Sequence, residues 1–169
     1  MSIESVRAFF AEKAPDITII EMPDSTATVA LASEAHGIEP GRIAKTLLLN
    51  AGGRRILIVA RGDARLDNRK IKAIFGSRAK MLGADEVQAV TGHPVGGVCP
   101  FGLATRLPIY CDISLQAFDE VVPAAGSIHS SVRIDPMRLV KLVDAKWVDI
   151  CRKASAELPA GGALPSPAP

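Results

Sequence analysis

The chain has 169 residues, of which 48% are hydrophobic and 22% are charged. These values exclude a disordered chain and a small scaffold that depends on disulfides or metals, and they predict one globular domain. The formal net charge of +2 does not indicate a strongly basic nucleic-acid-binding protein. No apolar run approaches the roughly 20 residues that cross a bilayer, and the first residues lack the apolar segment of a signal peptide, so we expect a cytoplasmic protein that does not enter a membrane.

Two helices and a short strand are predicted near the start of the sequence. Residues 3–13 carry apolar side chains at helical spacing, and residues 17–23 are typical of a short apolar strand. Asp24, Ser25 and Thr26 follow, and their side-chain oxygens suit the N-cap of a second helix. We expect this helix to close at Gly37, because glycine readily adopts the left-handed conformation of a helix end.

The central part of the sequence predicts a β-hairpin. Residues 42–50 and 54–62 are apolar, strand-like runs, and the intervening Gly52 and Gly53 supply the positive φ of a tight turn. The elements predicted after this hairpin are a short helix capped by Asp67, a strand at 79–82 and a helix at 84–90 that ends at Thr91-Gly92.

The following segment combines a structured loop with further strands and a helix. Residues 92–108 contain too many glycines and prolines for a regular element, yet they are too apolar for a linker, which predicts an ordered loop. Residues 108–114 and 120–134 are strand candidates. Asp135-Pro136 predicts the start of a final helix, with an N-cap residue followed by proline at the first helical position.

The order of these elements favours a single α+β domain. Helices and strands are interleaved irregularly around a central hairpin, which indicates a mixed sheet rather than a doubly wound fold. The domain is expected to span residues 1–153. Residues 154–169 are small and rich in proline, so they cannot bury enough surface to offset their ordering entropy, and we expect a disordered tail.

Lys45 is the first candidate for a functional residue, because it interrupts the otherwise apolar strand I-A-K-T-L-L-L. One interpretation is a charge that faces solvent in the alternation of a strand. The other is a cation directed into a pocket, where apolar walls would strengthen its interaction with a phosphate or a polarised ester. The pattern alone leaves both interpretations open.

Gly96 and Gly97 form the second candidate. Consecutive glycines allow the backbone to approach a ligand closely and to direct N–H groups towards it, and Pro100 stiffens the exit of the loop. A simple tight turn explains the same residues. Cys99 lies between them, but a cysteine nucleophile needs a base and the sequence indicates no particular histidine, so a catalytic Cys99 is the less favoured alternative.

The remaining candidates are short polar groups. Ser25 and Thr26 suit ligand contact as well as capping, since a helix N-terminus presents N–H groups to an anion. Ser127 and His129 can hydrogen-bond a ligand or form a polar strand edge. The three cysteines are widely spaced and the sequence has no histidine pair or glycine-rich nucleotide motif, so we expect no metal, no disulfide framework and no cofactor.

Over residues of about 5 to 150 the chain resembles the YbaK/prolyl-tRNA-synthetase-associated family. The segments that carry the resemblance are, in order, MPDSTATVALASEAHGIEP, GRIAKTLLL, LDNRKIKAIFG, TGHPVGGVCPFG, LPIYCDISL and AAGSIHSSVRIDPMRLVKLV. The resemblance implies an α+β fold with a curved, mostly antiparallel sheet. Lys45 matches the family's functional lysine, Gly96 to Pro100 match its G-x-x-x-P loop, and Gly126 matches a glycine of a late strand. Some relatives carry an acid near the position of Ser131, where this chain departs from them.

The resemblance also implies a reaction, namely hydrolysis in trans of the ester of a mischarged tRNA. The implied substrate is tRNA-Pro that carries alanine, 2-aminobutyrate, serine, threonine or cysteine, and prolyl-tRNA synthetase is an implied partner. Lys45 would hold the 3′-terminal phosphate or the aminoacyl group, and the N–H groups of Gly96 and Gly97 would hold the developing oxyanion. Two alternatives remain: a non-catalytic nucleic-acid-binding module that uses the basic segment 61–80, and a sensor of a free amino acid or nucleotide.

Overall fold

The structure is a computed structural model that describes residues 2–152. Its α-helices are α1 (Ser2–Lys13), α2 (Val29–His36), α3 (Asn68–Phe75), α4 (Ala84–Thr91) and α5 (Pro136–Leu142). Its strands are β1 (Ile20–Glu21), β2 (Ile43–Ala51), β3 (Arg54–Arg61), β4 (Arg65–Leu66), β5 (Ala79–Met81), β6 (Ile109–Asp112), β7 (Val122–Pro123), β8 (Ser130–Ser131), β9 (Lys146–Val148) and β10 (Cys151–Arg152). The predicted tail at 154–169 lies outside the described residues.

The strands form a mixed sheet around the predicted hairpin. β2 and β3 pair antiparallel along their length, and Gly52 and Gly53 adopt φ values of +62° and +85° in the turn between them. The strand order is β5-β2-β3-β6-β9, and β7 also pairs with β2. The β7, β6 and β9 pairings are parallel, whereas β5 and the two small sheets, β1–β8 and β4–β10, pair antiparallel. The predicted α+β class with a mixed, mostly antiparallel sheet is confirmed.

Apolar layers cover both faces of this sheet. On one face α1 contributes Phe10, whose ring centroid lies 4.6 Å from that of the buried Phe101. On the other face α3 contributes Ile71, which packs in one cluster with Ile56 and Ile58 of β3, all three fully buried. Burial of each such side chain stabilises the fold by roughly 1.5–3 kcal/mol. These two layers hold β2 and β3 in place.

The helix α2 begins later than the sequence predicts. Its N-cap is Thr28, which accepts a hydrogen bond through Oγ1 from a backbone N–H of the first turn, and not Ser25 or Thr26. The N–H and the hydroxyl of Thr26 both donate to the carbonyl oxygen of Ile128. This tertiary contact holds the segment extended and delays the helix. The helix ends as predicted at Gly37, with φ of +65°.

The segment 120–134 is not one strand, contrary to the sequence prediction. It folds back on itself, with antiparallel bridges Val121–Ile134 and Ala124–Ser131, because Gly126 has a φ of +94° and the hydroxyls of Ser127 and Ser130 bond each other at 2.8 Å. Only the two-residue β7 and β8 form strands within it. The segment 17–23 likewise yields only the two-residue β1. The short β9 and β10 were not predicted, since strands of two or three residues leave no periodic pattern.

One edge of β2 is partly uncovered. On the side away from β3, β7 pairs only with Ile43 and Ala44, and β5 pairs only with Leu49–Ala51. Residues 45–48 therefore have no strand partner on this side. Alternate residues of an antiparallel strand direct their N–H and C=O groups to opposite neighbours, so two of these four residues present backbone polar groups to the gap.

Candidate functional site

A pocket of about 320 Å³ occupies the gap beside β2. Most of its lining side chains are small or apolar, among them Ala27, Ala32, Leu48, Leu82, Val87, Val98 and Ala124. Its hydroxyl-bearing residues are Thr26, Thr28, Thr46 and Ser131, Lys45 borders it at the strand edge, and no Asp or Glu of the described residues lines it. A concave, mostly apolar pocket with a few polar groups is typical of a ligand site.

Gly96 forms part of the pocket wall and lies in a tight turn. The N–H of Gly97 donates to the carbonyl oxygen of Pro94 at 2.8 Å, and Gly96, the third residue of this turn, has a φ of +96°. A positive φ at the third position strongly favours glycine. Among the described residues no acceptor bonds the N–H of Gly96, so this group is available to a ligand.

Gly97 does not have the geometry that the sequence suggested for an oxyanion donor. Its N–H is already bonded to Pro94, and Gly97 does not line the pocket. Its carbonyl oxygen instead accepts from the N–H of Gly126 at 3.0 Å. A Cβ at Gly97 would lie 2.7 Å from the backbone nitrogen of Ser127. Gly97 therefore allows two loops to pack closely, and Gly96 is the glycine of the pair with an available donor.

Lys45 borders the pocket at the uncovered edge, but its ammonium lies on the other face of the sheet. Alternation along β2 places Thr46 on the pocket face and Lys45 on the α3 face. The ammonium donates to the carbonyl oxygen of Ala64, and no carboxylate of residues 2–152 forms an ion pair with it. Burial lowers the pKa of Lys45 from its ordinary value. Asp63 acts on it through space without an ion pair, so this partly desolvated ammonium, whose hydrogen bond is to a neutral carbonyl, is suited to receive an anion.

Thr46 carries a polar group that the sequence did not indicate. It lines the pocket between Ala44 and Leu48, and its Oγ1 is buried without a hydrogen-bond partner. A buried hydroxyl left unpaired costs about 1–3 kcal/mol. Threonine is common in strands because of its branched Cβ, so nothing in the sequence separates Thr46 from an ordinary strand residue.

The structure brings Thr26 to the pocket but not Ser25. Thr26 is buried and is attached to Ile128 through its hydroxyl, with an oxygen-to-oxygen distance of 3.1 Å. Ser25 accepts a hydrogen bond through Oγ from the N–H of Ala27 at 3.2 Å, and it stabilises the local turn. Ser131, where some relatives were expected to carry an acid, is buried in the pocket wall.

The other residues predicted for substrate binding lie outside the pocket. Pro100 borders a separate cavity, and Gly126 is buried beneath α1, where a Cβ would lie 2.8 Å from the carbonyl oxygen of Ser2. Ser127 bonds Ser130, as described above. His129 donates through Nδ1 to the carbonyl oxygen of Asp24 at 3.2 Å. These groups shape the loop that supports Thr26 and Gly97.

Cys99 and His93 are adjacent but are not arranged for nucleophilic catalysis. The Sγ of Cys99 lies 3.6 Å from Nε2 of His93, and this same Nε2 lies 2.7 Å from the carbonyl oxygen of Phe101. Because a carbonyl only accepts, Nε2 carries a proton and cannot act as the base for the thiol. Burial raises the pKa of the Cys99 thiol to about 12, so the thiol is protonated at neutral pH.

Replacement of Cys99 by alanine is therefore expected to leave the ester hydrolysis that the family resemblance implies within about twofold of the wild-type rate, because a protonated thiol is not a nucleophile. The unfolding free energy is expected to fall by about 1 kcal/mol through the loss of a buried sulfur. Kinetics of amino-acid release and denaturant unfolding measure the two effects. A hundredfold loss of activity in a folded variant would contradict this assignment.

Residues 2–152 were also compared with the requirements of a metal site and of a membrane-spanning helix. No cluster of three or more His, Cys, Asp or Glu side chains in this range is arranged to hold a metal ion. No helix in it is both long and apolar enough to span a bilayer.

The structure is a small α+β domain with a mostly apolar pocket beside an interrupted sheet edge. The chain belongs to the aminoacyl-tRNA editing domain family, whose match covers residues 23–142. This range contains all the residues that line the pocket. The resemblance inferred from the sequence is thereby confirmed.

Three relatives illustrate the range of this family. YwhH of Bacillus subtilis (strain 168), itself uncharacterized, is 44% identical over 90% of this chain and 98% of its own length. EbsC of Enterococcus faecalis, a candidate Cys-tRNA(Pro)/Cys-tRNA(Cys) deacylase, is 29% identical over 72% of this chain and 75% of its own. The proline–tRNA ligase of Citrifermentans bemidjiense is 32% identical over 57% of this chain but only 17% of the ligase.

A solved structure extends the similarity to the fold. The crystal structure of a candidate trans-editing enzyme for prolyl-tRNA synthetase matches with a TM-score of 0.82 and 31% identity. The match covers 89% of this chain and 97% of that chain. The similarity therefore extends over most of the fold described above.

Proposed function

We propose that this chain is an aminoacyl-tRNA deacylase, which hydrolyses the ester of a mischarged tRNA in trans. The observation that carries the proposal is the apolar pocket of about 320 Å³, bordered by Lys45 on one side and the Gly96 turn on another. Family membership supplies the reaction class. The pocket supplies room for an amino acid but not for a folded nucleic acid, so only the aminoacylated 3′ end would enter it.

In the proposed complex the substrate crosses the uncovered edge of β2. The aminoacyl group occupies the pocket face, and the phosphate of the terminal nucleotide approaches the Lys45 ammonium from the α3 face. This ammonium donates to the neutral carbonyl of Ala64, and Asp63, already paired with Arg61, acts on it only through space. A phosphate would therefore be the anion in direct contact with the ammonium. Lys45 thus positions the substrate and does not take part in bond breaking.

The N–H of Gly96 is the proposed donor to the carbonyl oxygen of the ester. Water attacks the carbonyl carbon, and the negative charge that develops on the oxygen is stabilised by a donor already fixed in a turn. The bond to the ribose oxygen then breaks, the ribose regains its hydroxyl and the amino acid leaves as a carboxylic acid. The neighbouring 2′-hydroxyl of the tRNA helps to position the water, so no protein nucleophile is required.

The proposed substrates carry a small amino acid on tRNA-Pro: alanine, 2-aminobutyrate, serine, threonine or cysteine. Small lining residues, including Ala27 and Ala124, leave a narrow space between apolar walls, and such a space favours a short side chain over the ring of proline. The name of EbsC and the matches to proline–tRNA ligases support tRNA-Pro as the carrier. Hydroxyls such as those of Thr46 and Ser131 are the polar groups available to the amino group of the substrate.

The test is release of amino acid from tRNA-Pro charged with each of the five small amino acids, with Pro-tRNA-Pro as the comparison. We expect cleavage of at least one mischarged species at ten times the rate for Pro-tRNA-Pro or more, since a single methylene changes discrimination about 10- to 200-fold. The panel is repeated with prolyl-tRNA synthetase added, as a partner that retains the tRNA. If the folded protein binds a free amino acid or nucleotide but cleaves none of the esters, it is a sensor and the proposal fails.

A further inference from the structure

Two arginines face each other on the small sheet formed by β4 and β10. Arg65 and Arg152 are directly opposed across the strands and are both exposed. The neighbouring pair, Leu66 and Cys151, packs into the apolar layer beneath α3, so the arginines point to solvent on the other side. Like charges directly opposite each other destabilise a sheet. An anion bound between the two side chains would offset this repulsion.

The acidic side chains near this pair are already engaged by other groups. Asp63 forms an ion pair with Arg61 at 2.6 Å, and Asp149 forms one with Lys70 at 2.9 Å. Asp67 accepts backbone N–H groups at the start of α3. Neither arginine of the pair has a carboxylate within ion-pairing distance in the described part of the chain.

Arg152 of this pair borders a cavity that reaches the residue bonded to Lys45. A cavity of about 240 Å³ is lined by Ala64, Lys70, Asp149 and Arg152. Ala64 is the residue whose carbonyl oxygen holds the Lys45 ammonium, and Arg65 follows it directly in the chain. Basic side chains therefore extend from the uncovered edge of β2 to the surface at Arg152. The carboxylates of Asp149 and Asp112 also line this cavity, but the first is paired with Lys70 and the second accepts two backbone N–H groups.

We infer that Arg65 and Arg152 bind the tRNA backbone at phosphates that precede the terminal nucleotide. The inference rests on the proposed function, in which Lys45 holds the terminal phosphate. The planar guanidinium group of arginine donates two parallel hydrogen bonds to phosphate oxygens, and a phosphate between the two side chains would relieve their mutual repulsion. An RNA strand whose end lies in the pocket passes Lys45 before it reaches this pair.

The test compares Arg65→Ser/Arg152→Ser with a control that loses the same charge elsewhere, Arg106→Ser/Lys141→Ser, at two exposed positions. Binding of uncharged tRNA is measured by fluorescence anisotropy over a range of salt concentrations, with polyglutamate as a probe for an acidic protein partner. We expect the arginine variant to bind tRNA about tenfold more weakly and its salt slope to fall by about 2, with the control unchanged. KM for a cleaved aminoacyl-tRNA should rise to the same extent while kcat stays constant, and thermal stability should be equal or higher.

Equal tRNA affinity and equal salt slope in wild type and the arginine variant would overturn the inference. An equal loss of tRNA affinity in the control variant would also overturn it, because the loss would then follow from net charge alone. A loss of affinity for polyglutamate but not for tRNA would overturn it as well. If wild type binds tRNA through the arginines but releases no amino acid, the proposed function is wrong and the inferred tRNA-binding surface stands. If the arginine variant cleaves aminoacyl-tRNA with an unchanged KM, the proposed function stands and the inferred tRNA-binding surface is wrong.

Discussion

Replacement of Lys45 by methionine is expected to lower kcat/KM for deacylation by about 10- to 100-fold. Methionine keeps an aliphatic side chain on the α3 face of β2 but removes the charge that would hold the terminal phosphate. A hydrogen bond to a charged group contributes about 1.5–3 kcal/mol, and 1.36 kcal/mol corresponds to tenfold in rate. Steady-state cleavage of the best mischarged tRNA over a range of concentrations measures the loss.

The same variant is expected to be at least as stable as wild type at neutral pH. Burial lowers the pKa of Lys45, which means that folding disfavours its charged form. This penalty is fully present below the lowered pKa and fades as the pH rises towards the ordinary value near 10.4, because the unfolded chain keeps the proton longer. The stability difference between the variant and wild type should therefore narrow over that pH range, as denaturant unfolding at several pH values can show.

Lys141→Met is the matched control, because Lys141 is exposed on α5 and does not line the pocket. It should change neither kcat/KM nor the pH dependence of stability. If Lys45→Met cleaved as fast as wild type, Lys45 would be a structural residue and the proposed path of the substrate over β2 would be wrong. If Lys45→Met unfolds at a lower denaturant concentration than wild type, a loss of activity would be explained by the loss of folded protein.

Replacement of Gly97 by alanine is expected to lower both stability and activity. The new Cβ would lie 2.7 Å from the nitrogen of Ser127 and 2.9 Å from the carbonyl carbon of Gly126. Both neighbours are backbone atoms, which cannot rotate away, so one loop must shift. Such overpacking typically costs about 1–3 kcal/mol. A shift of this loop also moves the adjacent Gly96 N–H, so we expect at least a tenfold loss of kcat, since donor position governs oxyanion stabilisation.

Gly83→Ala is the control for the chemical change itself. Gly83 has a φ of −71°, and a Cβ placed there meets no atom within 4 Å. Gly83 is also the N-cap residue of α4, where alanine is less favourable than glycine, so we expect a loss of unfolding free energy of no more than about 1 kcal/mol and an unchanged kcat. Equal stability and equal kcat for Gly97→Ala and Gly83→Ala would show that the two loops do not need the close approach seen here.

Local signals in the sequence were sufficient to predict most helices and the central hairpin. Asp67 and Asp135 cap α3 and α5 through their carboxylates, as predicted, and Gly37 and Gly92 end α2 and α4 with positive φ. These signals are reliable because a cap or a turn is completed by groups only a few residues away in the chain. The family resemblance was specific for a similar reason, since it combined several such segments in order.

Tertiary contacts determined what the sequence could not predict. The start of α2 depends on Thr26 meeting Ile128, 102 residues further along the chain. The direction of the Lys45 ammonium depends on the pairing of β2, and the role of Gly97 depends on the approach of Gly126. Three of the predicted residues, Lys45, Gly96 and Thr26, do reach the pocket. The periodicity of a sequence predicts which face of a strand or helix a residue occupies, but not which residues pack against that face.

The uncovered residues 45–48 of β2 also determine how readily two copies of the chain can associate through this strand. An exposed strand edge is a template on which another chain can add a strand. Here β5 and β7 pair with β2 on either side of residues 45–48, and Pro123 at the end of β7 has no N–H with which to extend the ladder. An incoming strand would therefore find room for four residues. The two short strands that leave space for a substrate also keep this edge too short to begin aggregation.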